Sequence, residues 1–238
     1  MAHLFQKLIP LLVFALSSVS AFAQTNESSV QAAEGLWEYT DLITKDGQSL
    51  PLTGIFLIRN GMFLQQSIFN GDPFEAQGSM AHAGPYWAGG AGLRLRSDQT
   101  LSIDPDSKSP ISSAGKMEHD LEVTRRGDEL SLQFGGGTST IQTFKRLGNA
   151  EKTKIYNFAT GNLALADNYF ILVLGDSESV VTGYGTYRSD GGVLTMDVIR
   201  WAESDGSQVK NLRDAALSAT LTDEALTLAD GRRFPITK

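Results

Sequence analysis

The stretch FILVLGDSES, residues 170 to 179, ends a hydrophobic run in Gly175-Asp176-Ser177. A serine placed there could act as a nucleophile if a base took its proton. The chain has three histidines, His3, His82 and His119, and none follows Ser177. VVTGYGTY after the motif reads as strand, and no G-x-S-x-G occurs elsewhere. The other chemistry-bearing residues gather between 80 and 96: His82, Tyr86, Trp87, Arg94 and Arg96. His82 could serve as a general base or a metal ligand, but no second His, Cys or acidic residue stands at metal spacing from it. His119, in Glu118-His119-Asp120, reads as a solvated histidine at a strand start. Arg94 and Arg96 share one face of a strand by period two and could clamp a carboxylate inside a cavity. Leu93 and Leu95 on the other face read as the core set, which turns the arginines to solvent. Nothing in the pattern asks for a cofactor or a metal.

These residues need a frame, and most of the chain reads as β. Leu121 and Val123 alternate with polar residues, Arg126-Gly127-Asp128 turns the chain, and Leu130, Leu132 and Phe134 alternate again. Asn60-Gly61 is a two-residue hairpin turn. Lys45-Asp46-Gly47 and Ser97-Asp98-Gln99 mark two further turns, and residues 209 to 216, VKNLRDAA, are the one candidate for a helical turn. The second half echoes the first. TGIFLIRNGMFLQQS (53–67) lies over TGNLALADNYFILVL (160–174), GLRLRSDQTLSID (92–104) over GTYRSDGGVLTMD (185–197), and LEVTRRGDELSLQFGG (121–136) over LSATLTDEALTLADG (217–231). On this overlay Gly71-Asp72 matches Gly175-Asp176, with Pro73 in place of Ser177. Gly-Asp is then a turn between meander strands, because glycine tolerates positive φ and aspartate bonds its own backbone. FEAQGSMAHAGPYWAGGAG (74–92) is left as an insertion in the first copy. It reads either as a flap over a barrel mouth or as an irregular strand with Trp87 plugging a barrel end.

The first residues, MAHLFQKLIPLLVFALSSVSAFAQ, read as a secretory signal peptide over 1–23, cut between Ala23 and Gln24 after Ala21-Phe22-Ala23. Its apolar run of roughly 12 residues is short of the ~20 that span a bilayer. The chain is expected to be exported, periplasmic or secreted, and not an integral membrane protein. There is no cysteine, so a packed core and not disulfides must hold it. The formal net charge is −7, which speaks against nucleic acid and anionic membrane as partners.

Gly35-Leu36-Trp37 at the first strand of a β meander resembles the G-x-W of the lipocalins and the wider calycin group. The later turn-L-[ST]-[IM] strand, Asp128-Glu129-Leu130-Ser131-Leu132 and the closing QTFKRL are similar to bacterial lipocalin-like domain proteins. The resemblance implies an all-β fold of antiparallel up-and-down strands closing into a barrel. It places one repeat over 24–149 and a shorter one, without the G-x-W, over 150–238. Closure removes the exposed edges, and eight strands enclose just enough room for side chains or one small ligand. Whether the copies form two barrels or share one sheet stays open; the second copy is expected to lean on the first. Trp37 is expected at the closed end beside a basic side chain such as Arg146. The implied function is non-catalytic binding of a small apolar or amphipathic ligand, with His82, Tyr86, Trp87, Arg94 and Arg96 as candidate contacts. Two alternatives stand beside it: a structural or interaction protein of the cell envelope with filled barrels, and a barrel enzyme of isomerase or esterase type using residues 80–96.

Overall fold

The computed structural model describes residues 28–135 and 139–237, so Ala23 and Gln24 lie outside the described residues with the rest of the segment read as a signal peptide. A short helical turn over 28–33 leads into β1 (Gly35–Ile43), β2 (Ser49–Leu50), β3 (Leu52–Arg59) and β4 (Met62–Phe69). Next come β5 (Ser79–Ala88), β6 (Gly92–Ser97), β7 (Gln99–Ile103) and β8 (Ile111–Ser113). The first half ends with β9 (Met117–Arg126), β10 (Glu129–Phe134) and β11 (Ile141–Gly148). The strands pair in the order β4-β3-β1-β11-β10-β9-β6-β5, and β4 also pairs β5. Eight antiparallel strands therefore close into a barrel.

The second half repeats the plan. Its strands are β12 (Thr153–Phe158), β13 (Gly161–Ala166), β14 (Tyr169–Gly175), β15 (Val180–Asp190) and β16 (Val193–Ser204). They continue with β17 (Val209–Leu212), β18 (Ala215–Leu221), β19 (Ala225–Leu228) and β20 (Arg233–Pro235). The order is β12-β13-β14-β15-β16-β18-β19-β20, and a single bridge, Phe158 to Ile236, spans the remaining gap. The chain thus forms two barrels and not one shared sheet. Among the described residues no helix is long and apolar enough to cross a membrane.

The turns explain the register. Asn60 and Gly61 both take positive φ, 56° and 76°, as a two-residue turn matched to strand twist requires. Asp167-Asn168 makes the matching β13–β14 connection. The outer two overlays of the repeat hold in the structure: β3–β4 matches β13–β14, and β9–β10 matches β18–β19.

The middle overlay is displaced by one strand. Residues 92–97 pair with β5 and β9 just as 193–198 pair with β15 and β18, so β6 matches the start of β16, not the end of β15. Ser97-Asp98 is accordingly no hairpin turn. β6 and β7 lie along the same strand, β5, with a bulge between them. The second barrel bulges at the matching point, where Tyr184 pairs Arg200 but Gly185 pairs Val198. Both bulges press a carbonyl onto a glycine: an added Cβ at Gly84 would stand 1.9 Å from the Arg96 carbonyl oxygen, and at Gly185 2.2 Å from that of Asp197. Beyond the bulge each strand leaves its barrel partner and pairs instead with a short side strand, β8 or β17. Residues 209–212 are that side strand, and β18 begins at Ala215, so the helical turn expected over 209–216 is absent.

The segment read as an insertion, 74–92, is mostly β5, the counterpart of β15. The reading as a strand holds and the flap does not, but Trp87 is exposed and plugs nothing. Three apolar clusters hold the molecule. One fills the first barrel, around Trp37, Phe56, Phe63 and Phe144. One fills the second, around Phe170, Leu172, Trp201 and Leu226. The third joins the outer faces of both barrels through Ile55, Leu57, Leu64, Ala81, Ile171 and Val173. Strands at this seam are buried on both faces, which is why LTGIFLIR and YFILVLG read as nearly continuous apolar runs. A buried side-chain hydrogen bond crosses the seam, Gln66 Nε2 to Thr182 Oγ1 at 2.8 Å, and the Gln99 and Asn211 amides reach backbone carbonyls of the other barrel at Gly175 and Gln77.

Candidate functional site

Alternation along each strand assigns side chains to the barrel interior. On β5, Ala81 and Ala83 pack in the seam, so His82 and Tyr86 point inward and Trp87 outward. The two inward residues serve different ends. Tyr86 belongs to the end closed by the 28–33 turn: its hydroxyl donates to Glu34 at 2.6 Å, and Glu34 pairs with Arg59 at 3.1 Å. Burial, reinforced by the Glu34 carboxylate, raises the Tyr86 pKa well above the usual phenol range. Trp37 seals the same end. Its indole donates to the Ala33 carbonyl at 2.8 Å, with the Arg146 guanidinium 4.8 Å above the ring, the cationic partner anticipated from the sequence.

His82 lies four residues along β5 from Tyr86, about 13 Å away at strand rise. It stands in a cross-strand row with Gln65 on β4 and Thr100 on β7. Tyr39 and Gln142 approach from β1 and β11. The Tyr39 hydroxyl donates to Gln142 Oε1 at 2.8 Å, and Gln65 Nε2 donates to both the Tyr39 oxygen and Gln142 Oε1. Burial raises the Tyr39 pKa, opposed in part by a hydrogen bond with Ser67. Burial lowers the His82 pKa to about 4, helped by the nearby His119, so the ring is neutral at pH 7 and offers one donor and one acceptor. No hydrogen bond to the His82 ring is formed among the described residues. Thr100 is 4% exposed and its Oγ1 has no partner among the described residues. Beneath this polar row lies an aromatic floor, with Tyr39 4.4 Å from Phe144 and Phe144 5.5 Å from Phe56 between ring centres.

The other candidates sit elsewhere. Arg94 and Arg96 face out of the barrel, where Arg94 pairs with Asp120 and Arg96 with Asp98. Trp87 is exposed beside Arg96, 6.0 Å from its guanidinium. An arginine clamp inside the barrel is therefore not built. His119, expected to be solvated, is half-buried with its ring edge-on to Phe134 at 5.3 Å. Tyr39, Gln65, Thr100 and Gln142 escaped the sequence reading. Gln65-Gln66 in the middle of an apolar strand was the one available signal.

The duplicated barrel supplies an internal comparison. The strand registers equate the row Gln65–His82–Thr100 with Leu172–Gly183–Trp201. In the second barrel the Trp201 ring lies on Gly183, where an added Cβ would stand 2.3 Å from the indole Cε3. The second barrel is plugged at this level, while the first carries smaller polar groups without partners.

The Gly175-Asp176-Ser177 turn lies at the same end of the second barrel. Asp176 Oδ1 accepts the amides of Glu178 at 2.8 Å and Ser179 at 3.1 Å, so the aspartate shapes the turn. Ser177 is exposed, and both described histidines belong to the first barrel. Comparisons with family models, with curated proteins and with solved structures returned no match.

Proposed function

We propose that this chain is an exported, lipocalin-like binding protein that holds one small amphipathic ligand in the first barrel without transforming it. The observation that carries the proposal is the divergence of one row: Trp201 on Gly183 plugs the second barrel, and unpartnered Thr100 beside His82 stands at the same level of the first. Buried polar atoms without partners are uncommon and call for a missing one. A ligand with a neutral polar head would meet His82, Thr100 and Gln65; Phe144 and Phe56 beneath them are 1% and 0% exposed, so its apolar body would enter only by parting those rings. The G-x-W strand, the closing turn against Trp37 and the basic side chain above that ring support the lipocalin-like reading. The apolar leader and the small-x-small pattern Ala21-Phe22-Ala23 support export.

A barrel enzyme is favoured by one observation, the gathering of Tyr39, His82 and His119 at this end. Proton transfer is most efficient when the catalytic pKa lies near the working pH. A histidine at about 4 and a tyrosine raised by burial are both poorly poised, so binding is the better reading. The test is native mass spectrometry of protein purified gently from its own cells. A reproducible mass excess, lost on denaturation and lost in a His82→Gly/Thr100→Trp variant, is the expected result. An excess that survives in that variant would place the ligand elsewhere and defeat the proposal.

A further inference from the structure

The matching end of the second barrel, above Trp201, opens as a cavity of about 560 Å³. It is rimmed by the turns that follow β12, β14, β16 and β19, and its apolar side is Leu174, Val181 and Phe234. The opposite wall is an ion network. Glu203 takes Arg232 at 2.6 Å and Lys210 at 3.2 Å, and Arg232 also reaches Asp230 at 2.6 Å. The network separates the cavity from a recess of about 140 Å³ lined by Trp201, Met196 and Leu212. Glu203 occupies the position that is Ser102 in the first barrel, so this wall belongs to the second barrel alone.

The wall's chemistry selects a ligand class. Its volume falls within the range that encloses small molecules. Its acidic residues, Asp176, Glu203 and Asp205, balance Lys210, Arg232 and Arg233. Each charge is already engaged: Glu203 by two cations, Asp176 and Asp205 by loop amides, Arg233 by Glu224 at 3.7 Å. An anionic ligand would find each cation here already paired, Lys210 and Arg232 with Glu203 and Arg233 with Glu224, and would face the carboxylates of Asp176 and Asp205. A hydroxyl both donates and accepts, so one hydroxyl can bridge the Glu203 carboxylate and an Arg232 N–H together. Leu174, Val181 and Phe234 suit the C–H face of a ring.

From this we infer that the mouth of the second barrel is a second binding site, distinct from the first-barrel row, for a neutral, hydroxyl-rich ligand of sugar-ring type. The test is retention of the purified protein on an array of neutral and uronic- or sialic-acid-bearing oligosaccharides. Retention on neutral glycans is expected. Glu203→Gln, which leaves Lys210 and Arg232 under-paired, should weaken it at least tenfold and admit acidic glycans. Gln208→Ala, at the exposed rim, should weaken it several-fold without touching the core, and a thermal melt checks that both variants fold. Retention only on acidic glycans, retention on none, or retention indifferent to both substitutions would each overturn the inference.

Discussion

Transplanting the plug from one barrel to the other tests whether the two rows are equivalent. Trp201 fits because its partner across the ladder is Gly183; a Cβ there would lie 2.3 Å from the indole. Thr100→Trp alone drives an indole against His82, and overpacking of that kind costs about 1–3 kcal/mol. His82→Gly alone places a glycine in a strand, which costs about 0.5–1 kcal/mol before any loss of ring packing. Together the glycine makes the room that the indole needs. The double variant should therefore be more stable than the sum of the singles predicts, by about 1–3 kcal/mol. Urea unfolding of the four chains measures that coupling. Thermal melts should show it as well, since about 1 kcal/mol moves the Tm of a chain this long by roughly 2–4 °C. A coupling within about 0.5 kcal/mol of zero would show that position 100 does not face position 82 as Trp201 faces Gly183, and the argument from duplication would fail. The same double variant reads function, because its indole occupies the row where the ligand's head is placed.

Gly84→Ala and Gly185→Ala should each destabilise by about 1–3 kcal/mol, measured by urea unfolding, because both push a methyl into a bulge carbonyl. His82 is neutral in the fold down to about pH 4, whereas an unfolded histidine binds its proton near 6.5. Stability from the neutral ring is thus complete above about pH 6.5 and is lost as pH falls toward 4. His82→Gln should flatten that part of the pH–stability curve, and an NMR titration midpoint near 6.5 for His82 would contradict its burial. Thr182→Val leaves Gln66 Nε2 unpaired in the seam and should destabilise by about 1–3 kcal/mol, while Gln66→Leu/Thr182→Val should be nearly neutral in the same assay. Ser177→Ala should change stability by less than about 0.5 kcal/mol, and any esterase activity that vanished with it would revive the nucleophile reading.

The hairpins were legible because two-residue turns with positive φ leave a short chemical signature, as at Asn60-Gly61 and around Gly127. The same vocabulary misled at Ser97-Asp98. A bulge and a hairpin both break the extended ladder, and both draw on Ser, Asp and Gly. The local residues therefore could not say whether the chain reversed or merely kinked. On sequence alone β5 stands between a flap and an irregular strand for another reason. SMAHAGPYWA is poor in β-branched residues, yet it is a strand because its neighbours fix it. Ala81 and Ala83 are small where two barrels meet. On one side of β5, Pro85 falls between the ladder with β7, which ends at Ala83, and the ladder with β6, which starts at Tyr86; on the other side it stands opposite Met62 at the end of the β4 ladder. The polar row and the Glu203 network were out of reach for a third reason. Gln65, His82, Thr100 and Gln142 meet only after closure, and Glu203 meets Arg232 across 29 residues of chain.

Duplication also explains how one barrel can hold unpartnered polar groups. Each barrel carries an apolar outer face, Ile55, Leu57 and Leu64 on one and Ala164, Ile171 and Val173 on the other. Exposed, either face would be an association surface, so neither barrel is suited to stand alone. The seam makes the second barrel, with its Trp201 plug, part of the first barrel's support. Burying a large aromatic such as Trp201 contributes about 3–5 kcal/mol by the measure of its truncation. An unpartnered buried hydroxyl such as that of Thr100 costs about 1–3 kcal/mol. The plugged copy and the seam can offset that cost, leaving the first barrel free to keep at its His82 end a set of groups that only a ligand or water would satisfy.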